Sequence, residues 1–375
     1  MRVHLRSAHQ QRPAGRPSPE QASLARALVL RYGWNSLAYQ ILNPGIDHWF
    51  FAGDAGVVGY VAAGGAWVAA GAPICPSALL AEAAAEFETA AAQQGRRVCY
   101  FGGQERLAEA LAARGPVARL LVGAQPAWDP RGWPAIVAGK ASLRAQLARA
   151  RNKGVRVEPW PAFEAAAHPA VRRCLAEWLA TRGLPPLHFL VEPDTLAAPE
   201  DRRVLVARRG PAVVAYLVAT PIPQRKGWLL EQVVRGQAAP NGTAELLIDA
   251  AMRLLAAEGA SYVTLGLAPL SRQARGPESP RSLIVQTLLT WARAHGRRFY
   301  NFAGLDAFKT KLQPHTWEPI YLLSGERVTS LRTLYAIAGA FGGTSPPLFL
   351  ARALLRAASQ ELAWAKGRLL KAARA

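Results

Sequence analysis

The sequence is poor in cysteine and acidic residues, and it has no long hydrophobic run. Three cysteines in 375 residues, far apart and odd in number, give no disulfide framework and no zinc-ligand spacing. The seven histidines form no ligand pair at helical spacing, so no metal site is expected. No stretch reaches the ~18 uninterrupted apolar residues of a membrane span. The basic, Pro-rich residues 1–20 lack the apolar core of a signal peptide. We therefore expect a cytoplasmic protein without a metal or a tightly bound cofactor.

Positive charge dominates the remainder of the composition. Lys and Arg number 45 against 25 Asp and Glu, a formal net charge of +20. Such an excess fits a polyanionic partner, either RNA or an anionic lipid surface. It equally fits solvated charge in a composition biased towards Ala and Arg. Because 51% of the chain is hydrophobic and 11 residues are Trp, a disordered protein is excluded.

A strand–loop–helix–strand order occurs twice along the chain, which indicates a duplicated α/β domain. Its first copy has a strand meander from residue 49, a helix over 77–95 and a strand at 96–102. The second copy has a strand at 227–234, a helix over 242–258 and a strand at 261–267. The predicted division is a flexible basic tail (1–20), a first unit (21–135), a second unit with the active site (136–325) and a C-terminal helical segment (326–375).

The last 29 residues predict an amphipathic helix. At 100° per residue, most leucines of 347–375 fall on one side and most basic residues on the other. A helix of that form can lie on an anionic membrane surface. It can also pack on the domain with its basic side in water. Both interpretations stay open.

The loop after the strand at 227–234 predicts an anion site. Free N–H groups and the dipole at the start of the next helix favour a negative group there. Asn241 and Gly242 tolerate the unusual backbone angles of the turn, and Thr243 is expected to cap the helix. Arg235 offers a fork of donors suited to phosphate. An ordinary helix-start turn is the alternative.

Glu231 is the candidate general base. It is expected near the strand end, four residues before Arg235, where the chain opens into the loop. A carboxylate in such a place can accept a proton from a hydroxyl or amine that attacks an acyl carbon. The alternative is an ion pair between Glu231 and Arg235.

Two further segments carry candidate residues. In "FYNFAGLDAFKTKLQPHTWEPIYLL" (299–323), Lys309 and Lys311 alternate, so on an extended chain they would share a face. Glu318 follows in the same segment; solvated lysines in a loop are the alternative. The helix predicted over 139–154 is strongly basic, and its Arg144 and Arg149 are candidates for binding RNA phosphates.

Several stretches together resemble the C-terminal domain of bacterial phosphatidylglycerol lysyltransferases. The matching stretches, in order, are "YGWNSLAYQIL" (32–42), "GVVGYV" followed by "GAP" (71–73), "RARNKGVRV" (149–157), "RGLPPLHFL" (182–190), "APNGTAELLI" (239–248), "LGLAPLS" (265–271) and "NFAGLDAFKTKLQPHTWEPIYL" (301–322). The resemblance implies two GNAT-like units fused in one α/β (α+β) domain. It also implies transfer of an amino acid from aminoacyl-tRNA to a lipid headgroup hydroxyl.

The resemblance places Glu231 and Arg235 in the active region, and with them Lys309, Lys311 and Glu318. Three features depart from the family's pattern. Glu231 stands where many relatives have Asp, and Ala72 stands where relatives often have an acid. The multi-span membrane region that precedes this domain in the best-known members is not in this sequence, so the resemblance does not define the acceptor.

The expectation is an aminoacyltransferase on the inner face of the cell membrane, with aminoacyl-tRNA and an anionic phospholipid as partners. Pro240 has no N–H to give, so the loop is one donor short for a coenzyme A pyrophosphate, which favours charged tRNA as the donor. Two alternatives stay open. One is a GNAT-type enzyme that acylates a soluble molecule or peptide, and the other is a non-catalytic binding module.

Overall fold

The computed structural model describes residues 18–181, 189–280, 285, 287 and 302–343. These residues build one 12-stranded sheet with helices on both faces. Leu- and Ala-rich runs form the helices, and runs rich in Val and aromatic residues form the strands, as their propensities predict.

The first half of the chain contributes four strands and three helices. The strands are β1 (Asp47–Phe51), β2 (Gly56–Ala63), β3 (Ala66–Ala70) and β4 (Arg97–Gly103), and the helices are α1 (Pro19–Tyr32), α2 (Leu80–Gln93) and α3 (Glu105–Ala112). The predicted meander and the predicted helix over 77–95 are both confirmed. A 3₁₀ turn at Ser77–Leu79 precedes α2.

The remaining elements follow in the order β5, α4, α5, β6, α6, α7, β7 to β9, α8 and then the C-terminal elements. The strands are β5 (Ala118–Trp128), β6 (Val155–Trp160), β7 (Arg203–Arg209), β8 (Ala212–Ile222), β9 (Gly227–Arg235), β10 (Tyr262–Thr264), β11 (Ala268–Pro269) and β12 (Thr316–Ser324). The helices are α4 (Trp133–Gly139), α5 (Ala141–Asn152), α6 (Ala162–Ala167), α7 (Pro169–Ala180), α8 (Thr243–Ala257), α9 (Phe302–Lys311) and α10 (Leu331–Gly342).

The sheet runs in the order β1-β2-β3-β4-β12-β5-β10-β9-β8-β7-β6, with β11 beside β5. Two pairs are parallel, β3 with β4 and β10 with β9. Each of these pairs is joined through a helix, α2 or α8, which is the repeated unit expected from the sequence. The late strand β12 lies between β4 and β5 and so joins the two halves.

Helices cover both faces of the sheet. In the second half, α5 and α8 pack on one face and α6 and α7 on the other. In the first half, α2 and α3 pack opposite α1 and α10. The segment 189–202 contributes Phe189 to the core under α1 and α10, and Leu196 to the core under α6 and α7. We therefore call the face with α1, α6, α7 and α10 the α7 face, and the opposite one the α8 face.

The predicted C-terminal amphipathic helix at 347–375 lies outside the described residues. Among the described helices, none is long and apolar enough to cross a membrane.

Candidate functional site

The two halves of the sheet differ where their parallel strands end. β10 pairs with β9 only as far as Leu229, although β9 continues to Arg235. After Thr264 the chain turns away, and β11 pairs with β5 instead. Among the described residues, β9 residues 231–235 therefore have no ladder partner on the β10 side. We call the place between them and chain residues 265–267 the β9 cleft.

The equivalent place in the first half is closed. β3 and β4 stay paired to Ala70 and Phe101, and Gly71 N–H still donates to the Phe101 carbonyl at 2.8 Å. Asn35 lies against Gly71 and donates to the Gly102 carbonyl at 3.0 Å. The second half is thus the one with a cleft beside its parallel pair.

A β-bulge places Glu231 at the point where the strands diverge. Val218 pairs with Gln232 and Ala219 with Leu230, which leaves Glu231 as the extra residue of β9. Bulges re-aim side chains and are common beside functional sites. The sequence placed Glu231 near the strand end, and this was wrong, because β9 continues four residues further to Arg235.

Glu231 is held in a buried polar cluster. Its side chain is 9% exposed, and Oε2 lies 3.5 Å from Nη2 of Arg202. Burial raises the pKa of Glu231, and the charge of Arg202 and the amide of Gln40 oppose the shift without cancelling it. The alternative pairing with Arg235 is not what the structure has, because Arg235 is exposed and donates to the Ala239 carbonyl at 3.4 Å.

This cluster has unused hydrogen-bonding capacity. Oε2 of Glu231, both polar atoms of Gln40 and Nε of Arg202 are buried without a hydrogen bond of normal geometry among the described residues. Buried polar groups are nearly always paired. The cluster can therefore accept a polar group, such as a hydroxyl, beside a carboxylate whose raised pKa suits a general base.

The turn before α8 is built for close helix packing. Gly242 has φ 93° and is the N-cap residue of α8. A Cβ added there would lie 2.1 Å from the Gln146 carbonyl of α5, so only glycine fits. Thr243 was expected to cap the helix, and this was wrong. Its hydroxyl donates instead to the Pro240 carbonyl at 2.7 Å, and Asn241 is exposed in the turn.

Protein groups already occupy the anion-attracting start of α8. Glu245, in the first turn, is 8% exposed and accepts from Lys311 at 2.9 Å. A carboxylate in the first turn already makes the favourable interaction with the helix dipole. With the Gln146 carbonyl also close to Gly242, this turn offers less to a pyrophosphate than its sequence indicates.

Lys309 and Lys311 lie on helix α9, so the expectation of an extended segment with both on one face was wrong. Residues two positions apart on a helix point about 200° apart. Lys311 reaches Glu245, whereas Lys309 is buried and donates to the carbonyls of residues 265, 266 and 267 at 2.8, 2.8 and 2.9 Å. Burial lowers the pKa of Lys309 to about 7, and Asp306 opposes that shift. The three carbonyls match the three protons of an ammonium group, so Lys309 fixes the far wall of the β9 cleft.

Replacing Lys309 by Met is expected to reduce the free energy of unfolding by about 3 kcal/mol, because three carbonyls lose a buried donor. Lys311→Met is the matched control and is expected to reduce the free energy of unfolding by less, since Lys311 is partly exposed. Thermal or urea unfolding measures both. If Lys309→Met keeps full stability and only turnover falls, Lys309 acts on the reacting groups and not on the cleft wall.

Glu318 lies at the junction of the two halves. Its carboxylate accepts two hydrogen bonds from Arg225, at 2.9 and 2.6 Å. It also accepts from Gln104, Gln125 and Tyr262 at 2.9 to 3.0 Å. Burial alone would raise the pKa of Glu318, but the hydrogen bonds and charge of Arg225, with those of Gln125 and Tyr262, lower it. With these five hydrogen bonds in place, Glu318 is well placed to position the two halves.

Arg202, Gln40 and Arg225 were missed by sequence reasoning. Arg202 and Gln40 come from segments remote from Glu231 in sequence, and Arg225 is 93 residues from Glu318. No local pattern marks such contacts. Only the fold brings these residues together.

Arg144 and Arg149 are exposed on α5, on the α8 face. Arg144 donates to the carbonyls of Val137 and Ala138, and Arg149 donates to Oε1 of Gln146 at 3.3 Å. Neither has an acidic partner among the described residues. Because Gln146 also touches Gly242, this basic helix lies directly beside the loop that ends β9.

The repeated strand–helix–strand unit, with one parallel pair that diverges at a bulge, is a GNAT-like fold of two fused units. The family model described as "Phosphatidylglycerol lysyltransferase, C-terminal" matches residues 26–324. The chain therefore belongs to the phosphatidylglycerol lysyltransferase C-terminal family.

Solved structures share this fold. The C-terminal domain of a putative lysylphosphatidylglycerol synthetase from Agrobacterium fabrum has a TM-score of 0.73 at 23% identity, over 86% of this chain and 98% of that one. L-PGS from Bacillus licheniformis has a TM-score of 0.71 at 18% identity, over 92% of this chain and 98% of that one. A Bacteroides thetaiotaomicron protein of unknown function has a TM-score of 0.57 at 13% identity, over 84% and 99%. No curated protein sequence matches the chain.

Proposed function

We propose that the protein transfers an aminoacyl group from aminoacyl-tRNA to a headgroup hydroxyl of phosphatidylglycerol or a related anionic lipid. The observation that carries this proposal is Glu231, a buried carboxylate with a raised pKa on the bulge where β9 leaves β10. A carboxylate with a raised pKa is a stronger base, so it can accept the proton of a hydroxyl more readily. The family match supports the lipid aminoacyltransferase class.

In the proposed reaction, the lipid hydroxyl oxygen attacks the ester carbonyl carbon of the aminoacyl-tRNA. Glu231 accepts the hydroxyl proton as the new C–O bond forms. The bond to the tRNA ribose oxygen then breaks, and that oxygen receives the proton from Glu231. Arg235, exposed at the end of β9, binds a phosphate, and Lys311 adds positive charge near the start of α8. The edge of β9 beyond Leu229 is free of β10, and backbone N–H groups there can stabilise the developing oxyanion.

The turn before α8 supports charged tRNA over an acyl-coenzyme A as donor. Pro240 has no N–H, the Gln146 carbonyl lies against Gly242, and Glu245 already occupies the first turn of α8. All three disfavour a pyrophosphate there. The exposed arginines of α5 lie beside the same turn and offer the electrostatic surface that RNA requires.

The α7 face supports approach of a lipid. Large apolar side chains that are exposed in the described residues all belong to segments on this face, and they are Phe163, Val191, Val328, Leu331 and Tyr335. Exposed apolar side chains grouped on one face mark a binding surface. Arg327 and Arg332 adjoin the last three and are exposed. We infer that the protein works peripherally at the cytoplasmic side of the membrane, with this face towards the lipid.

The proposal is tested by lipid analysis. Cells that express the chain are expected to contain an aminoacylated phosphatidylglycerol, detected by mass spectrometry of extracted lipids. Cells that express Glu231→Gln at the same level are the control and should lack it. Absence of aminoacylated lipid from cells with the natural sequence would reject lipid aminoacylation, and a soluble acylated product would favour a soluble acceptor. Equal amounts of aminoacylated lipid in both strains would reject Glu231 as the base.

A further inference from the structure

A cavity of about 560 Å³ lies on the α7 face, between α6, α7 and the segment 194–199. Its lining is mostly apolar and includes Phe163, Ala166, Val171, Leu175, Leu196 and Tyr216. The volume is within the range of cavities that bury small ligands. Phe163 is 63% exposed, so the cavity has a large apolar side chain accessible to an incoming molecule.

We propose that this cavity binds an acyl chain of the lipid acceptor, with the headgroup extended along β9 to Glu231. The inference rests on the proposed function and assigns its lipid to a specific site. An apolar lining of this volume suits a hydrocarbon chain. The exposed Phe163 of its lining lies on the face assigned to the membrane.

One polar residue of the cavity suits the phosphate of a phosphoglycerol headgroup. Arg172 is exposed and uses Nε to donate to the Ala166 carbonyl at 3.0 Å, which leaves the outer guanidinium nitrogens for a phosphate. The glycerol end of the headgroup then extends away from Arg172, along β9 towards Glu231.

The cavity lining and the proposed base are linked through strand β9. Tyr216, in the cavity lining, pairs across strands with Val234. Glu231 precedes Val234 by three residues, about 10 Å along a strand. The segment that closes the cavity is tied to the residue after Glu231, because Thr195 donates to Oε1 of Gln232 at 2.7 Å and Gln232 donates to the Pro193 carbonyl at 2.8 Å.

Binding of lysophosphatidylglycerols with octyl, decyl and dodecyl chains, below their micelle concentrations, tests the proposal by calorimetry on the full chain. Affinity for the natural sequence is expected to rise roughly threefold to fourfold per added methylene. Ala166→Phe fills the cavity, so its affinity should no longer depend on chain length. Ala176→Phe, on an exposed position of α7 outside the cavity lining, is the matched control and should keep that dependence.

Two further variants keep the test decisive if Ala166→Phe does not fold. Phe163→Ser alters an exposed side chain and is expected to reduce the affinity for the dodecyl ligand more than the affinity for the octyl ligand. Arg172→Gln should reduce the affinity for all three ligands by a similar factor. Chain-length dependence that survives in both Ala166→Phe and Phe163→Ser overturns the acyl site. Failure of the proposed function would instead be absence of aminoacylated lipid with the natural sequence, whatever the cavity variants do.

Discussion

Glu231→Gln is expected to lower the rate of aminoacyl transfer by about 10²-fold or more, as loss of a general base usually does. The amide keeps the size of the carboxylate but cannot accept the hydroxyl proton. Single-turnover kinetics with charged tRNA and dispersed phosphatidylglycerol measure the effect. Glu231→Asp should retain partial activity, because it keeps a carboxylate that is one methylene further from the cleft.

The control for Glu231→Gln is Glu158→Gln, a half-buried acid on β6 outside the cleft. Thermal unfolding must accompany the rates, because the amide also leaves the buried Arg202 without its ion pair. Near-normal turnover by a folded Glu231→Gln protein would remove Glu231 from the mechanism.

The pH profile gives an independent measure of the same base. Only the deprotonated carboxylate is active, so the rate should rise with pH through the pKa of Glu231, which burial raises above its ordinary value. The charge of Arg202 lowers the pKa of Glu231, so Arg202→Met should raise that pKa and move the acidic limb to higher pH. An acidic limb that stays in place in Arg202→Met would mean that another group titrates.

Transfer is expected to require charged tRNA, to be abolished by ribonuclease and to fall steeply as salt rises. The physical reason is that phosphate contacts release counterions, which makes binding strongly salt-dependent. Reversing the charge of Arg144 and Arg149 to Glu should weaken tRNA binding at least tenfold at physiological salt, measured by filter binding or anisotropy.

The matched control is Arg96→Glu with Arg114→Glu, an equal change of net charge at two exposed positions of the first half. It is expected to weaken tRNA binding much less. Arg144 also donates to carbonyls of α4, so Arg149→Glu alone serves if the double variant is unstable. Undiminished transfer from acetyl-coenzyme A in the presence of ribonuclease would overturn the tRNA donor.

Local sequence patterns were enough to predict the repeated architecture. Gly95 and Gly259 end the helices before the second strand of each parallel pair, and the apolar runs between turns define the strands. The alternation of apolar runs and turns predicts these helices and strands, because each local preference agrees with burial on one face of the sheet. The loop at 239–243 also pointed to Gly242, whose positive φ a glycine best provides.

The chemistry of the site depended on contacts that no local pattern contains. Lys309 and Lys311 read as an alternating pair, yet packing against the 265–267 carbonyls and Glu245 stabilises a helix that separates them. Arg202 reaches Glu231 only because β7, β8 and β9 are neighbours in the sheet. The bulge that aims Glu231 is a property of the β8–β9 register, which two strands decide together. Sequence alone determined which residue types were present, and tertiary structure decided their partners, because pairing and burial act between segments far apart in the chain.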